Sequence, residues 1–193
     1  DRVEIAAVRF LQKNPSATLN QIETAVYNEF PGLQPPSRGL MQAVLNSYAV
    51  QAEGGWSLRP EDAPSGRRQD LESCEAALTD LASRLDFQAD RQTSPQRLVL
   101  WRSGKEINFA IYLIASAVVG KLLRQNPYPS DRCILLMPGG RAGLLAYKME
   151  RDPDLKAHLN GWRIVKFRQL RRLAESPALT RIAWEKGLAN DPI

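Results

Sequence analysis

The chain has 193 residues, 44% hydrophobic and 24% charged, with a formal net charge of +5. These are ordinary globular values for one or two domains, and they exclude wholesale disorder. The longest nearly uncharged apolar stretch, Asn108 to Gly120, falls short of the roughly 20 residues of a bilayer span, so neither a transmembrane helix nor a membrane partner is expected.

The N-terminus, Asp1-Arg2-Val3-Glu4, is charged rather than a secretory leader, and it lacks Met, as expected of a piece cut from a longer polypeptide. Residues 3–13 predict a short amphipathic helix with Ile5, Val8 and Leu11 on one face, ended by Pro15. Thr18 is the expected N-cap of a second helix, with Gln21 completing a capping box. Leu19, Ile22, Val26 and Phe30 form its buried stripe, and Pro31-Gly32 stops it. Ser37 caps a third helix whose core side is Leu40, Val44, Leu45 and Tyr48. Its opposite face is Arg38, Gln42 and Asn46, at i, i+4 and i+8. Val50-Gln51-Ala52 and Trp56-Ser57-Leu58, around the turn Glu53-Gly54-Gly55, predict a small β-hairpin.

Three helices followed by a hairpin resemble a winged helix-turn-helix over residues 1–58. The resemblance implies that the third helix enters the major groove of DNA, with Arg38, Gln42 and Asn46 as base-reading candidates and Gly54-Gly55 as the wing tip. Winged helices also serve as docking or dimerising modules. Residues 1–60 are electrically neutral, with five cations and five anions, so DNA contact and protein docking both stay open for this stretch. Arg59 to Arg68 holds two prolines, a glycine and a serine without apolar periodicity, the composition of a linker.

From residue 69 to 193 a second domain is expected. Asp70 to Asp86 predicts a helix whose stripe is Leu71, Cys74, Leu78, Leu81 and Leu85. Strands are predicted at Phe87 to Arg91, Arg97 to Trp101, Asn108 to Ile114, Cys133 to Met137 and Trp162 to Phe167. The continuously apolar ones suit a sheet covered on both faces. Helices are predicted at Ser116 to Gln125 and Arg141 to Glu150, then one bearing Leu170 and Leu173 and one around Ile182 and Trp184. The fold class is therefore α/β (α+β): an N-terminal three-helix unit plus an α/β sandwich with a mixed central sheet.

The order helix, strand, strand, strand, helix, strand resembles the core of the restriction-endonuclease-like, or PD-(D/E)XK, superfamily over about residues 69–174. That family holds Mg²⁺ with an Asp near the second core strand and a Glu (or Asp), one residue, then Lys on the third, because hard cations need carboxylate oxygens. Here the second strand carries no carboxylate, Tyr112-Leu113-Ile114 stands where the third-strand motif is sought, and no Asp or Glu occurs from Ile107 to Ser130. The resemblance thus implies a nuclease-like skeleton without its catalytic metal site: no catalytic residues, no metal and no cofactor are expected.

The charge is uneven. Residues 1–90 hold 8 Lys+Arg against 13 Asp+Glu, and residues 91–193 hold 18 against 8. The excess is densest between Arg141 and Arg172, which points to a polyanionic partner. Arg141, Arg163, Lys166, Arg168, Arg171 and Arg172 are the candidate phosphate contacts, joined by Arg38, Gln42 and Asn46 as DNA-binding candidates. Pro138-Gly139-Gly140-Arg141 reads as a tight turn or as an anion cradle, and it lacks the Walker A sequence. His158 has no acid or nucleophile nearby in sequence to build a triad. Cys74 and Cys133 sit in apolar settings in different elements, which fits a reduced cytoplasmic compartment. With one histidine and no Cys-x-x-Cys pair, no structural zinc site is expected. The expectation for the whole chain is a double-stranded-DNA-binding, catalytically inactive nuclease-like module of a larger assembly, which the resemblance places in a bacterial DNA-modification or defence system. Its alternatives are a protein-interaction module and a metal-dependent nuclease with carboxylates relocated to Glu72, Glu106 or Asp131.

Overall fold

The computed structural model describes residues 1–52, 54–93 and 95–189. Glu53 of the predicted hairpin turn, and residues 190–193, lie outside the described residues. The chain divides into two compact units, Asp1–Arg68 and Gln69–Ile193.

The first unit packs α1 (Arg2–Lys13), α2 (Leu19–Glu29) and α3 (Arg38–Tyr48) with a hairpin of β1 (Ala49–Ala52) and β2 (Gly55–Leu58). Both predicted caps form. Thr18 Oγ1 accepts from the Gln21 amide at 3.3 Å, the Gln21 side chain accepts from the Thr18 amide at 2.8 Å, and Ser37 Oγ accepts from the Leu40 amide at 3.2 Å. The buried stripes are shifted from those expected. Ile5 is 44% exposed, and Glu4, Ala7, Val8 and Leu11 line the inner face of α1 instead. Glu4 tolerates that position because the Tyr48 hydroxyl donates to its carboxylate. On α3, Met41 joins Val44, Leu45 and Tyr48 inside, and Leu40 is only half-buried. The hairpin is antiparallel, with Gln51 opposite Trp56. Trp56 also exchanges backbone bonds with Ala17, at 2.7 and 3.0 Å, which ties the hairpin to the turn before α2.

The stretch expected to be a linker carries regular structure. Pro60–Asp62 forms a 3₁₀ turn, and α4 runs from Pro64 to Arg84, starting six residues before the predicted helix. Proline at a first helical position has its φ already set for a helix. Gly66 lets that first turn pack close, since a Cβ there would lie 2.5 Å from the Pro60 carbonyl oxygen. Proline and glycine, read as linker composition, here start a helix.

The second unit is built on five strands: β3 (Gln88–Gln92), β4 (Leu98–Ser103), β5 (Glu106–Leu113), β6 (Cys133–Met137) and β7 (Arg163–Lys166). They lie in the order β3-β4-β5-β6-β7, antiparallel from β3 to β5 and parallel from β5 to β7, so the sheet is mixed as expected. One face carries Val99, Trp101, Phe109, Ile111, Ile134, Leu136 and Val165. It is covered by α4, α8 (Phe167–Glu175) and α9 (Arg181–Ala189) through Cys74, Leu78, Leu81, Leu170 and Trp184. The alternate residues Leu100, Ala110, Tyr112, Leu135 and Met137 are buried as well. Burial of both faces explains why the strands read as unbroken apolar runs.

The remaining helices are α5 (Gly120–Gln125), α6 (Gly139–Met149) and α7 (Pro153–His158). α5 is shorter than predicted, because Ser116 Oγ accepts from the Val118 amide at 3.4 Å and offers the backbone a turn in place of a helix. α7 was not predicted. It is a short helix capped by Asp152, whose carboxylate accepts from the Leu155 amide at 3.0 Å.

Candidate nucleic-acid interface

In the first unit the three candidate readers stand together on the outer face of α3. Arg38, Gln42 and Asn46 are all exposed, while Met41, Val44, Leu45 and Tyr48 bury the opposite side. The Gln42 side-chain amide donates to Asn46 Oδ1 at 2.8 Å, which orients both amides. Arg59 donates to the Asn46 and Ser47 carbonyls at 2.8 and 3.2 Å and so closes the C-terminal end of α3. Next to this face, Thr18, Leu19, Gln42, Gln51, Gly54 and Trp56 line a shallow recess of about 400 Å³. Glutamine and asparagine carry donors and acceptors side by side, the chemistry that base edges in the major groove require.

In the second unit the six candidate cations separate into two groups. Arg168, Arg171 and Arg172 are exposed on one side of α8, at i, i+3 and i+4, while Phe167, Gln169 and Leu170 face inward. Arg171 is paired with Asp70 at 2.6 Å. Of the other three, Arg141 and Lys166 are buried and Arg163 is half-buried. Arg141 is 0% exposed, and its Nε donates to the Ala115 carbonyl at 3.0 Å. It lies on the core side of α6, which begins at Gly139, so Gly139-Gly140 is the first turn of a helix whose arginine points inward. Lys166, the last residue of β7, is 8% exposed. Arg163 is half-buried, bound to Glu185 at 2.6 Å and to the Asp131 carbonyl at 3.0 Å. Helix phase turns Arg141 inward, packing at the end of β7 buries Lys166, and Arg163 is engaged by Glu185, none of which shows in a count of charges.

The positions where metal ligands were sought hold Leu98, Leu100, Tyr112 and Ile114, of which the first three are buried. The relocated carboxylates do not converge. Glu72 is exposed on α4, Glu106 pairs with Arg132 at 2.9 Å, and Asp131 is exposed beside Arg163. No group of three or more His, Cys, Asp or Glu side chains comes together among the described residues. His158 is exposed, with Nδ1 2.7 Å from the Asp154 carbonyl. Burial pushes the Cys74 thiol up to about 11, with Arg171 pulling the other way, and burial likewise holds Cys133 near 11 against a hydrogen bond to Asn126. Both thiols are free, buried and protonated at neutral pH, which is inert chemistry.

A second recess, of about 300 Å³, opens at the ends of β5 and β7, where Arg132, Arg163 and Arg181 meet Phe87, Phe109 and Trp184. Arg132 and Arg181 lie outside the dense basic stretch of the sequence. Nothing in their spacing marks them, because three separate elements bring them together. The chain matches no protein-family model, no curated protein and no solved structure.

Proposed function

We propose that the chain is a DNA-binding module in which the first unit acts as a winged helix and the second as a nuclease-like skeleton without its metal motif. The observation that carries this reading is the outer face of α3: two oriented amides and a guanidinium, exposed at successive turns beside the hairpin. Hydrogen bonds to base edges specify sequence, whereas phosphate contacts only position the protein. Arg168, Arg171 and Arg172 on α8 supply the second kind. On this reading the module serves a larger DNA-modification or defence assembly.

The test is equilibrium binding to short duplexes at several salt concentrations. Three exposed cations, Arg168, Arg171 and Arg172, are the candidate phosphate contacts, and if all three touch phosphates, log K against log salt has a slope of about −3. Arg171→Ala with Arg172→Ala weakens binding to all sequences alike, and Gln42→Ala or Asn46→Ala changes the ranking among sequences. Affinity insensitive to salt would overturn the DNA reading. That result would favour protein docking, which draws support from the neutral charge of residues 1–60 and from exposed Ile5, Tyr27, Leu33 and Val50 in the first unit.

A further inference from the structure

We propose that the recess at the ends of β5 and β7 binds a nucleoside monophosphate, either free or as the phosphorylated end of a nucleic-acid strand. Three guanidinium groups converge there from three elements: Arg132 from the turn before β6, Arg163 from β7 and Arg181 from α9. Each is fixed by backbone carbonyls. Arg132 donates to Ile107, Arg163 donates to Asp131 at 3.0 Å, and Arg181 donates to Leu85 and Asp86 at 2.7 Å each. A guanidinium has five N–H donors. Arg181 uses Nε and Nη2 in these bonds, so Nη1 keeps both protons for a ligand, and the Nε groups of Arg132 and Arg163 have no hydrogen-bond partner among the described residues. Donors held in place before a ligand arrives lose little entropy on binding it, and guanidinium forks match phosphoryl oxygens.

The rest of the lining suits the remainder of a nucleotide. Arg163 lies over the Phe109 ring at 5.4 Å and Arg181 over the Phe87 ring at 4.2 Å, contacts that help hold two guanidinium groups against which a base can pack. Glu106 and Glu185, 60% and 51% exposed at the rim, accept hydrogen bonds from sugar hydroxyls or a base amino group. With three cations and two anions, the lining keeps a net charge of +1 for an anionic ligand. The Asn108 Oδ1 and Trp184 Nε1 atoms, both in lining residues, are buried without a hydrogen-bond partner among the described residues. A volume of about 300 Å³ lies at the lower end of the small-molecule range, which suits a mononucleotide.

The experiment is calorimetric titration of the whole chain with adenosine monophosphate, guanosine monophosphate, adenosine, inorganic phosphate, and a single-stranded oligonucleotide with and without a 5′ phosphate. At least one nucleotide is expected to bind ~tenfold or more tightly than adenosine or phosphate alone, since ring and phosphoryl contacts add. A response to the 5′-phosphorylated strand that exceeds the response to free nucleotide assigns the strand end as the source, and the reverse assigns the free nucleotide. Arg181→Gln is expected to weaken binding by ~tenfold, the loss of one charge-assisted contact, while Lys13→Gln, at an exposed position of α1, leaves it unchanged. Titration with mononucleotides tests the recess apart from the duplex-binding reading, which it does not require. Because Arg181 also braces Leu85 and Asp86, a second readout uses the unaltered chain: the Trp184 indole N–H resonance shifts on titration, and the Trp56 indole in the first unit stays put. No heat and no Trp184 shift at about 1 mM of either nucleotide would overturn the proposal.

Discussion

At the scale of single residues, the buried polar groups carry the most exposed physics. Glu4 occupies a core position of α1 at 2% exposure, and the Tyr48 hydroxyl from α3 meets its carboxylate. Removing that donor takes one hydrogen bond from a buried carboxylate, so Tyr48→Phe is expected to cost about 1–3 kcal/mol in urea unfolding. A loss below a few tenths of a kcal/mol would show that the bond contributes little. The two thiols make a pH prediction. Their folded values are raised by burial from 9.0 to about 11. Unfolded thiols therefore ionise first as pH rises, the native state holds more protons, and stability present below about pH 9 is lost progressively toward pH 11. The decline measured by urea titration is expected to be shallower in the double variant Cys74→Ala, Cys133→Ala. An identical slope in both proteins would contradict it.

At the scale of elements, local chemistry explains which features were legible in the chain. Caps are local, so Thr18 with Gln21, and Ser37, marked their helix starts correctly. Thr18→Ala is expected to cost about 1 kcal/mol by thermal unfolding. The hairpin turn was legible from Gly54-Gly55, but the reason glycine is needed at 55 was not. Its φ is +148°, and a Cβ there would stand 2.5 Å from the Ala17 and Ser16 carbonyl oxygens. Gly55→Ala must push the hairpin away from the turn before α2, and a destabilisation of about 1–3 kcal/mol is expected. The start of α4 and the whole of α7 were not legible, since proline, glycine and serine punctuate linkers and open helices alike. The exposed side of Ile5 was misassigned for a related reason. Apolar spacing defines a stripe, but the partner surface decides where its edge falls, and here the edge passes between Glu4 and Ile5.

At the scale of the whole molecule, the uneven charge of the chain is largely folded away. Acids from residues 70–90 sit against bases from further along: Asp70 on Arg171, Glu75 on Arg91 and Arg97, and Asp90 on Arg102. Surface pairs of this kind add little stability, but they compensate charge that a linear count leaves exposed. Residues 69–193 hold 19 Lys+Arg against 14 Asp+Glu, a net of +5 where the stretch 91–193 alone has +10. Three exposed cations, Arg168, Arg171 and Arg172, share one side of α8. The same dispersion of carboxylates leads to a further expectation. Purified chain supplied with Mg²⁺ or Mn²⁺ is expected to leave supercoiled plasmid intact, since rigid metal binding beside a phosphate needs more than one carboxylate. Metal-dependent nicking that disappears in Glu72→Ala would restore the nuclease alternative.

The sequence by itself determined the order and type of most elements, the two capped helices, the mixed α/β class and the polar face of α3. All of these rest on contacts within a few residues or on side-chain periodicity along one element. Tertiary structure decided what depends on residues far apart in the chain. It buried Arg141 and Lys166, paired the acids of α4 and β3 with distant arginines, and gathered Arg132, Arg163 and Arg181 around one recess. Charge and polarity can be read residue by residue. Which side chains share a surface is set by strand register and helix phase, and those are fixed only when the core packs.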